Sequence, residues 1–300
     1  MYITNEDKLI EIFIDCDDFC KHFEPIYEKH LLGKNKKPNL RPCLSASEMM
    51  TILIFYHLSG MKCFKYYYVK IVQGCMRSHF PKLVSYNRFI GLVPRYMLHI
   101  WVFLNSVRAT EQCGFSYMDS KKLTVCHNRR IHSHKVFKGI AARGHCSVGW
   151  WFFGFKLFLV INPFGQILRC FITPGNIADN DQEVLRKLLK GLTSKIYGDK
   201  GFISSKITLE FLEKGLHIIT KIRSNMKNKL MSLQDKFLLL KRGVIESVFD
   251  IMSAICDIDH SRHRSRVNAF THLFSGLVAY TYLDKLPSIF RKKYDAISAI

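Results

Sequence analysis

The chain has 300 residues, 48% of them hydrophobic and 23% charged, which is enough apolar side chain to build one large core or two ordinary ones and excludes both a disulfide-stapled miniature and wholesale disorder. Lys and Arg number 45 against 24 Asp and Glu, a formal charge of +21, and that excess calls for a polyanionic partner, nucleic acid ahead of an anionic membrane surface. The amino terminus, MYITNEDKLI, lacks the basic and apolar regions of a secretory signal. The most apolar run, Trp150 to Ile161, falls short of the roughly 20 residues needed to span a bilayer, and the ten cysteines form no CxxC pair, so they read as reduced thiols of a cytoplasmic protein.

In chain order, the first hundred residues read as helical. Ser45-Ala46-Ser47-Glu48 is a capping box opening the apolar run Met49 to Leu58, which Gly60 closes. Further helices are expected over about 64–73 and 85–107, and Gly33-Lys34-Asn35-Lys36-Lys37-Pro38 is a solvated tip between the first helices. Asp15, Asp17 and Asp18 make a short acidic face of the first helix, with no chemistry assigned. After Gly114 the period changes. Phe115 to Cys126 forms a strand, and Phe155 to Ile161 and Gln166 to Thr173 form a hairpin around Asn162-Pro163-Phe164-Gly165. A helix beginning at Asp181 stops at Gly191; a strand over Lys195 to Tyr197, a helix over Ser204 to Lys214, a strand over His217 to Lys221 and a long helix from about Gly243 follow. This order suits a mixed sheet flanked by helices, with strand ends open for a site.

Between Ser120 and Ala178 there is no acidic residue, yet Lys121, Lys122, Arg129, Arg130, Lys135, Lys138, Arg143, Lys156 and Arg169 fall there with four histidines. Such a stretch reads as a phosphate-binding surface, against the plainer alternative of a solvated basic face. Asp119 stands at its edge on the first strand. Asp199 ends a later strand between Gly198 and Gly201, where the backbone turns sharply and exposes the carboxylate. At about 100° per residue, Glu246 faces away from the stripe made by Val244, Val248, Ile251, Met252 and Ile255 on the last helix. Asp179 and Asp181 compete with Asp199 for the second catalytic place, but standing just before a helix they read as caps. His260 and His263 with Asp257 and Asp259 form an alternative metal site, but Arg262, Arg264 and Arg266 favour phosphate contact. Trp150, Trp151, Phe152 and Phe153 read as strand core, with base stacking as the rival use.

Tyr117-Met118-Asp119-Ser120, the block Trp151 to Lys156, Thr173-Pro174-Gly175-Asn176, Tyr197-Gly198-Asp199-Lys200-Gly201-Phe202, Ile245-Glu246-Ser247-Val248-Phe249-Asp250 and His260-Ser261-Arg262-His263-Arg264-Ser265 together resemble bacterial insertion-sequence transposases of the DDE superfamily, over about 115–282. The resemblance implies a helical DNA-end-binding region (1–110), an RNase H-like catalytic domain (111–284) with a mixed sheet, and a tail (285–300). It implies Asp119, Asp199 and Glu246 as catalytic ligands of two Mg²⁺ or Mn²⁺ ions. The basic residues Lys121, Lys122, Arg129, Arg130, Lys135, Lys138, Lys200, Arg242, Arg262 and Arg264 are the expected DNA contacts. The implied reaction is cutting at the element's terminal repeats and joining of the 3′-OH ends to target DNA, by a homodimer acting in the bacterial cytoplasm at the nucleoid. The alternatives are an RNase H-like nuclease without strand transfer and a catalytically silent DNA-binding derivative. Relatives carry a Tyr-Arg-Glu-Lys pattern around the Glu; here Arg242 matches, while Leu239 and Ser253 occupy the Tyr and Lys positions.

Overall fold

The computed structural model describes residues 5–31, 43–145, 151–221 and 231–290. The expected tip Gly33 to Pro38 and Trp150 lie outside the described residues. The chain forms two compact units, one from Met1–Arg108 with Ile251–Leu283, the other from Ala109–Asp250 with Asp284–Ile300.

The first unit is helical. It contains α1 (Glu6–Leu31), α2 (Ala46–Leu58), α3 (Phe64–Tyr66, continuing as π-helix over Tyr67–Cys75), α4 (Tyr86–Leu92) and α5 (Met97–Ser106). Ser45 accepts from the Glu48 N–H at 3.0 Å while Glu48 accepts from the Ser45 N–H at 2.7 Å, the expected capping box. The helix expected over 85–107 is split by a 3-10 turn at Val93–Tyr96, because Pro94 has no N–H to continue the α ladder. The later helix Arg266–Tyr280 packs on α2 and α5, and α1 packs on α2. The acidic face of α1 is structural: Asp15 accepts from Arg108 at 2.9 Å and from the Tyr282 hydroxyl at 2.7 Å, and Asp17 from Ser47 at 3.1 Å.

The second unit is built on a mixed sheet of β1 (Phe115–Cys126), β2 (Ala142–His145), β3 (Trp151–Ile161), β4 (Ile167–Pro174), β5 (Ser194–Gly198) and β6 (Leu216–Thr220). β1 is central, antiparallel to β3 and parallel to β5, which is parallel to β6. β4 lies antiparallel along the end of β3, and β2 along its start. This is the helical-then-mixed-sheet class that the sequence predicts, with β2 added. The β3–β1 pairing depends on Gly154, where a Cβ would overlap the Leu123 carbonyl. The helices of this unit are α6 (Gln182–Leu188), α7 (Ser205–Glu213) and α8 (Leu233–Leu240), and a 3-10 turn Lys241–Gly243 leads from α8 into α9 (Val244–Ala254); the Arg266–Tyr280 helix is α10. Met118, Phe158 and Val160 pack against Leu185, Leu188 and Phe211 of α6 and α7, so one sheet face is covered by those helices. No described helix is long and apolar enough to cross a membrane.

Candidate active site

Asp119 and Asp199 are brought together by strand register. On the parallel pair β1 and β5, Tyr117 is opposite Tyr197, so each aspartate stands two residues beyond that pair, at the carboxyl end of β5 where open α/β sheets place their sites. A Cβ at Gly198 would fall 2.7 Å from Met118 Cε, the end of a flexible but buried side chain that would have to shift. Side chains alternate across a strand, so Asp119 shares the face of Tyr117, whose hydroxyl donates to the Leu238 carbonyl of α8 at 3.1 Å. The chain leaving α8 then carries Arg242 and Glu246 to the same place.

Arg242 extends its guanidinium among all three acids, 3.0 Å from Asp119 Oδ2, 3.0 Å from Glu246 Oε1 and 4.0 Å from Asp199 Oδ1. Carboxylates that lie 80 and 47 residues apart in the chain therefore meet around one cation. Burial pushes the Asp119 carboxyl up to about 6, the neighbouring Glu246 and Asp199 charges add to the rise, and the Ser120 N–H and Arg242 oppose it. One guanidinium balances one of three negative charges, so the cluster retains an excess that attracts further cation. Among the described residues no three His, Cys, Asp or Glu side chains are already grouped to hold an ion; in this cluster the guanidinium stands between the carboxylates.

Residues 109–266 match the family described as "Transposase DDE domain", over half of the chain and including Asp119, Asp199, Arg242 and Glu246. The chain belongs to that family. Its fold is similar to that of a piggyBac transposase in a synaptic complex with hairpin DNA, with a TM-score of 0.50 and 11% identity, covering 90% of this chain and 73% of that one. No curated protein matches the chain.

The other residues singled out in this transposase fall into two groups. Lys122, Arg129, Arg130, Lys135, Lys138 and Lys200 are exposed in the second unit, Lys121 is half-buried with its ammonium 5.9 Å from the Phe249 ring, and Arg262 and Arg264 are exposed in the first unit. Arg242, expected on phosphate, is only 16% exposed and is engaged by the acids. Leu239 is buried and Ser253 half-buried, so the Tyr position fills core here. Asp181 caps α6, accepting from the Val184 N–H at 3.0 Å, but Asp179 caps nothing: its Oδ1 accepts from Lys156 at 3.0 Å and from the Ser120 hydroxyl at 2.8 Å. Phe152 and Phe153 are buried while Trp151 is 56% exposed, so the aromatic block is only partly core. His260 and His263 pack their rings on His272 at 5.3 and 5.0 Å. Sequence reasoning missed two things, the counter-ion place of Arg242 and the Lys156–Asp179 link. The second had a signal: a lone lysine within the apolar run Phe155-Lys156-Leu157 needs a partner once buried.

Proposed function

We propose that this transposase cuts DNA at the ends of its element and joins the freed 3′ hydroxyls to target DNA by phosphoryl transfer at Asp119, Asp199 and Glu246. The observation that supports it is the gathering of these three carboxylates around Arg242. The donor set fits Mg²⁺ or Mn²⁺: it is all carboxylate oxygen, with no thiolate or imidazole to favour a softer metal, and a guanidinium already serves there as resident cation. Bound between these acids, two divalent ions would supply charge stabilisation for both the attacking and the leaving oxygen of an in-line displacement. The chain's own part is to hold the acids together on β1, the end of β5 and α9, and to neutralise phosphates on either side of the cut with the exposed cations Lys122, Arg129, Arg130, Lys135, Lys138 and Lys200. Arg242 keeps the three acids close in the absence of metal. In this reading residues 1–110 recognise the terminal repeats, residues 111–284 carry the chemistry, and two copies of the chain act as a homodimer on two ends.

A pre-cut end offered with target DNA and Mg²⁺ tests the reading. Joined product is the expected result. Cutting without joining would make the chain a nuclease, and binding alone would make it a silent derivative, an outcome for which Leu239 and Ser253 at the Tyr and Lys positions are the reason to look.

A further inference from the structure

Asp119 and Ser120 are neighbours on β1 and point to opposite faces of the sheet. Asp119 faces Arg242. The Ser120 hydroxyl, on the Met118 side, donates to Asp179 Oδ1 at 2.8 Å, and Lys156 Nζ from β3 donates to the same oxygen at 3.0 Å. The other oxygen of Asp179 lies against the turn after β5, 3.5 Å from where a Cβ on Gly201 would be, two residues past Asp199. Asp179 thus bonds the strand that carries Asp119 and lies beside the turn that carries Asp199; its side chain is 32% exposed, and its Oδ1 is held by an ammonium that is almost wholly buried, Lys156 being 8% exposed.

An ion pair with one buried and one part-exposed partner is a poor way to gain stability, since apolar side chains of similar volume often serve as well. Its strength is geometric definition, because two hydrogen bonds and a charge fix one carboxylate orientation. We infer that Asp179, held by Lys156, is a positioning residue that sets the spacing of Asp119 and Asp199 and so the affinity of the carboxylate site for divalent metal. The inference rests on the three-carboxylate reading above. Partners of this kind behind a metal site are worth roughly 10- to 100-fold in affinity or activity when removed.

The test is direct Mn²⁺ binding to the full chain, read from the electron paramagnetic resonance signal of free Mn²⁺, for wild type, Asp179→Asn, Ser120→Ala and Asp119→Asn. Thermal melting without metal and DNA-end binding in EDTA are measured alongside. Asp179→Asn should weaken Mn²⁺ binding by roughly tenfold or more, Ser120→Ala should weaken it less, and metal-free end binding should be unchanged in both. A purely structural role would lower the melting temperature and leave Mn²⁺ affinity where it was, and that result overturns the inference provided Asp119→Asn has lost tight binding. If Asp119→Asn binds Mn²⁺ like wild type, the three-carboxylate reading itself fails. Should Asp179→Asn not fold, Ser120→Ala decides, because it removes one hydrogen bond and leaves the ion pair in place; unaltered Mn²⁺ affinity there overturns the inference.

Discussion

The two units each gather ionisable side chains, and they handle the resulting charge in opposite ways. In the second unit three carboxylates crowd round Arg242, with Glu246 still 47% exposed on its side chain, so charge is kept and countered. In the first unit His57, His260, His263 and His272 pack ring on ring, His57 and His272 at 4.5 Å and His260 and His263 at 5.0 Å, and burial works to keep His57, His263 and His272 neutral. It holds His57 well below the ordinary imidazole range, His272 at about 4 and His263 at about 3, with the neighbouring histidines contributing to the shift. One ring nitrogen of His57 and one of His272 bond the backbone carbonyls of Cys256 and Asp257. Charge retained beside a single guanidinium leaves the second unit's cluster able to receive cation, whereas suppressed charge lets the first unit's rings pack.

The sharpest way to break that contrast is to remove charge from the acidic cluster. Asp119→Asn, Asp199→Asn and Glu246→Gln preserve shape, and each should cut cleavage and joining by at least about a thousandfold, a barrier increase of about 4 kcal/mol, while end binding survives. Turnover retained in any of them, measured on a labelled terminal fragment, removes that residue from the site.

The histidine cluster should respond to acid. An unfolded imidazole titrates near 6.5, whereas His272 and His263 titrate at about 4 and about 3 in the folded chain. Between those values the unfolded state takes up protons that the folded state refuses, so stability is intact above about pH 7 and is lost as pH falls through 6.5 toward 4. At pH 5 the loss is about 2 kcal/mol for each histidine still neutral. Melting temperatures from pH 7.5 to pH 4.5 should fall steeply, and less steeply in His263→Phe. A flat profile would mean that the rings are charged and the contrast between the units is false.

Arg242→Gln probes the acidic cluster from the other side. Without the guanidinium the acids repel unopposed, so the metal-free chain should melt at a lower temperature than wild type, and added Mn²⁺ should raise the melting point of the variant more than that of wild type, since tighter binding to the folded state stabilises it by mass action. An equal Mn²⁺ response in the two proteins would mean that Arg242 does not compete for the place of the cation.

Much of this architecture was legible because local rules and tertiary structure agree. The strand over Phe115 to Cys126, the turn at Asn162 to Gly165 and the capping box at Ser45 fall where their residues predict. β2 escaped because Ala142-Arg143-Gly144-His145 has neither β-branched residues nor alternation; what makes it a strand is the free edge of β3. α8 escaped for a similar reason, since Leu233-Gln234-Asp235-Lys236-Phe237-Leu238-Leu239-Leu240 has an indistinct stripe and is anchored by Asp235, which accepts from Lys195 at 2.8 Å and Tyr197 at 2.7 Å. The three acids could be proposed from their setting together with the family resemblance, but the place of Arg242 among them depends on an ion pair between residues 123 positions apart. No periodicity carries that information. Asp179 was hidden differently: its position before a helix invites the capping reading that Asp181 fulfils, and only the cross-sheet lysine separates the two.

The smallest effect concerns the exposed cations, where neither crowding nor burial is at issue. Arg129 and Arg130 lie on a 3-10 turn beyond β1, and Arg262 and Arg264 precede α10. If each neutralises one phosphate, the logarithm of the DNA association constant should fall with the logarithm of salt concentration at about −0.9 per phosphate. Replacing either pair with Gln should then flatten the slope by roughly one unit for each phosphate no longer neutralised, with affinity falling similarly on terminal-repeat and unrelated DNA. Because these side chains are solvent-facing, the change should be the same at pH 6 and pH 8, unlike the acid response of the histidines. An unaltered slope in the Arg129/Arg130 pair would make the acid-free stretch a solvated face. A slope that flattens on terminal repeats alone would show instead that these arginines read sequence, and the division of labour between the helical region and the sheet-bearing unit would have to be redrawn.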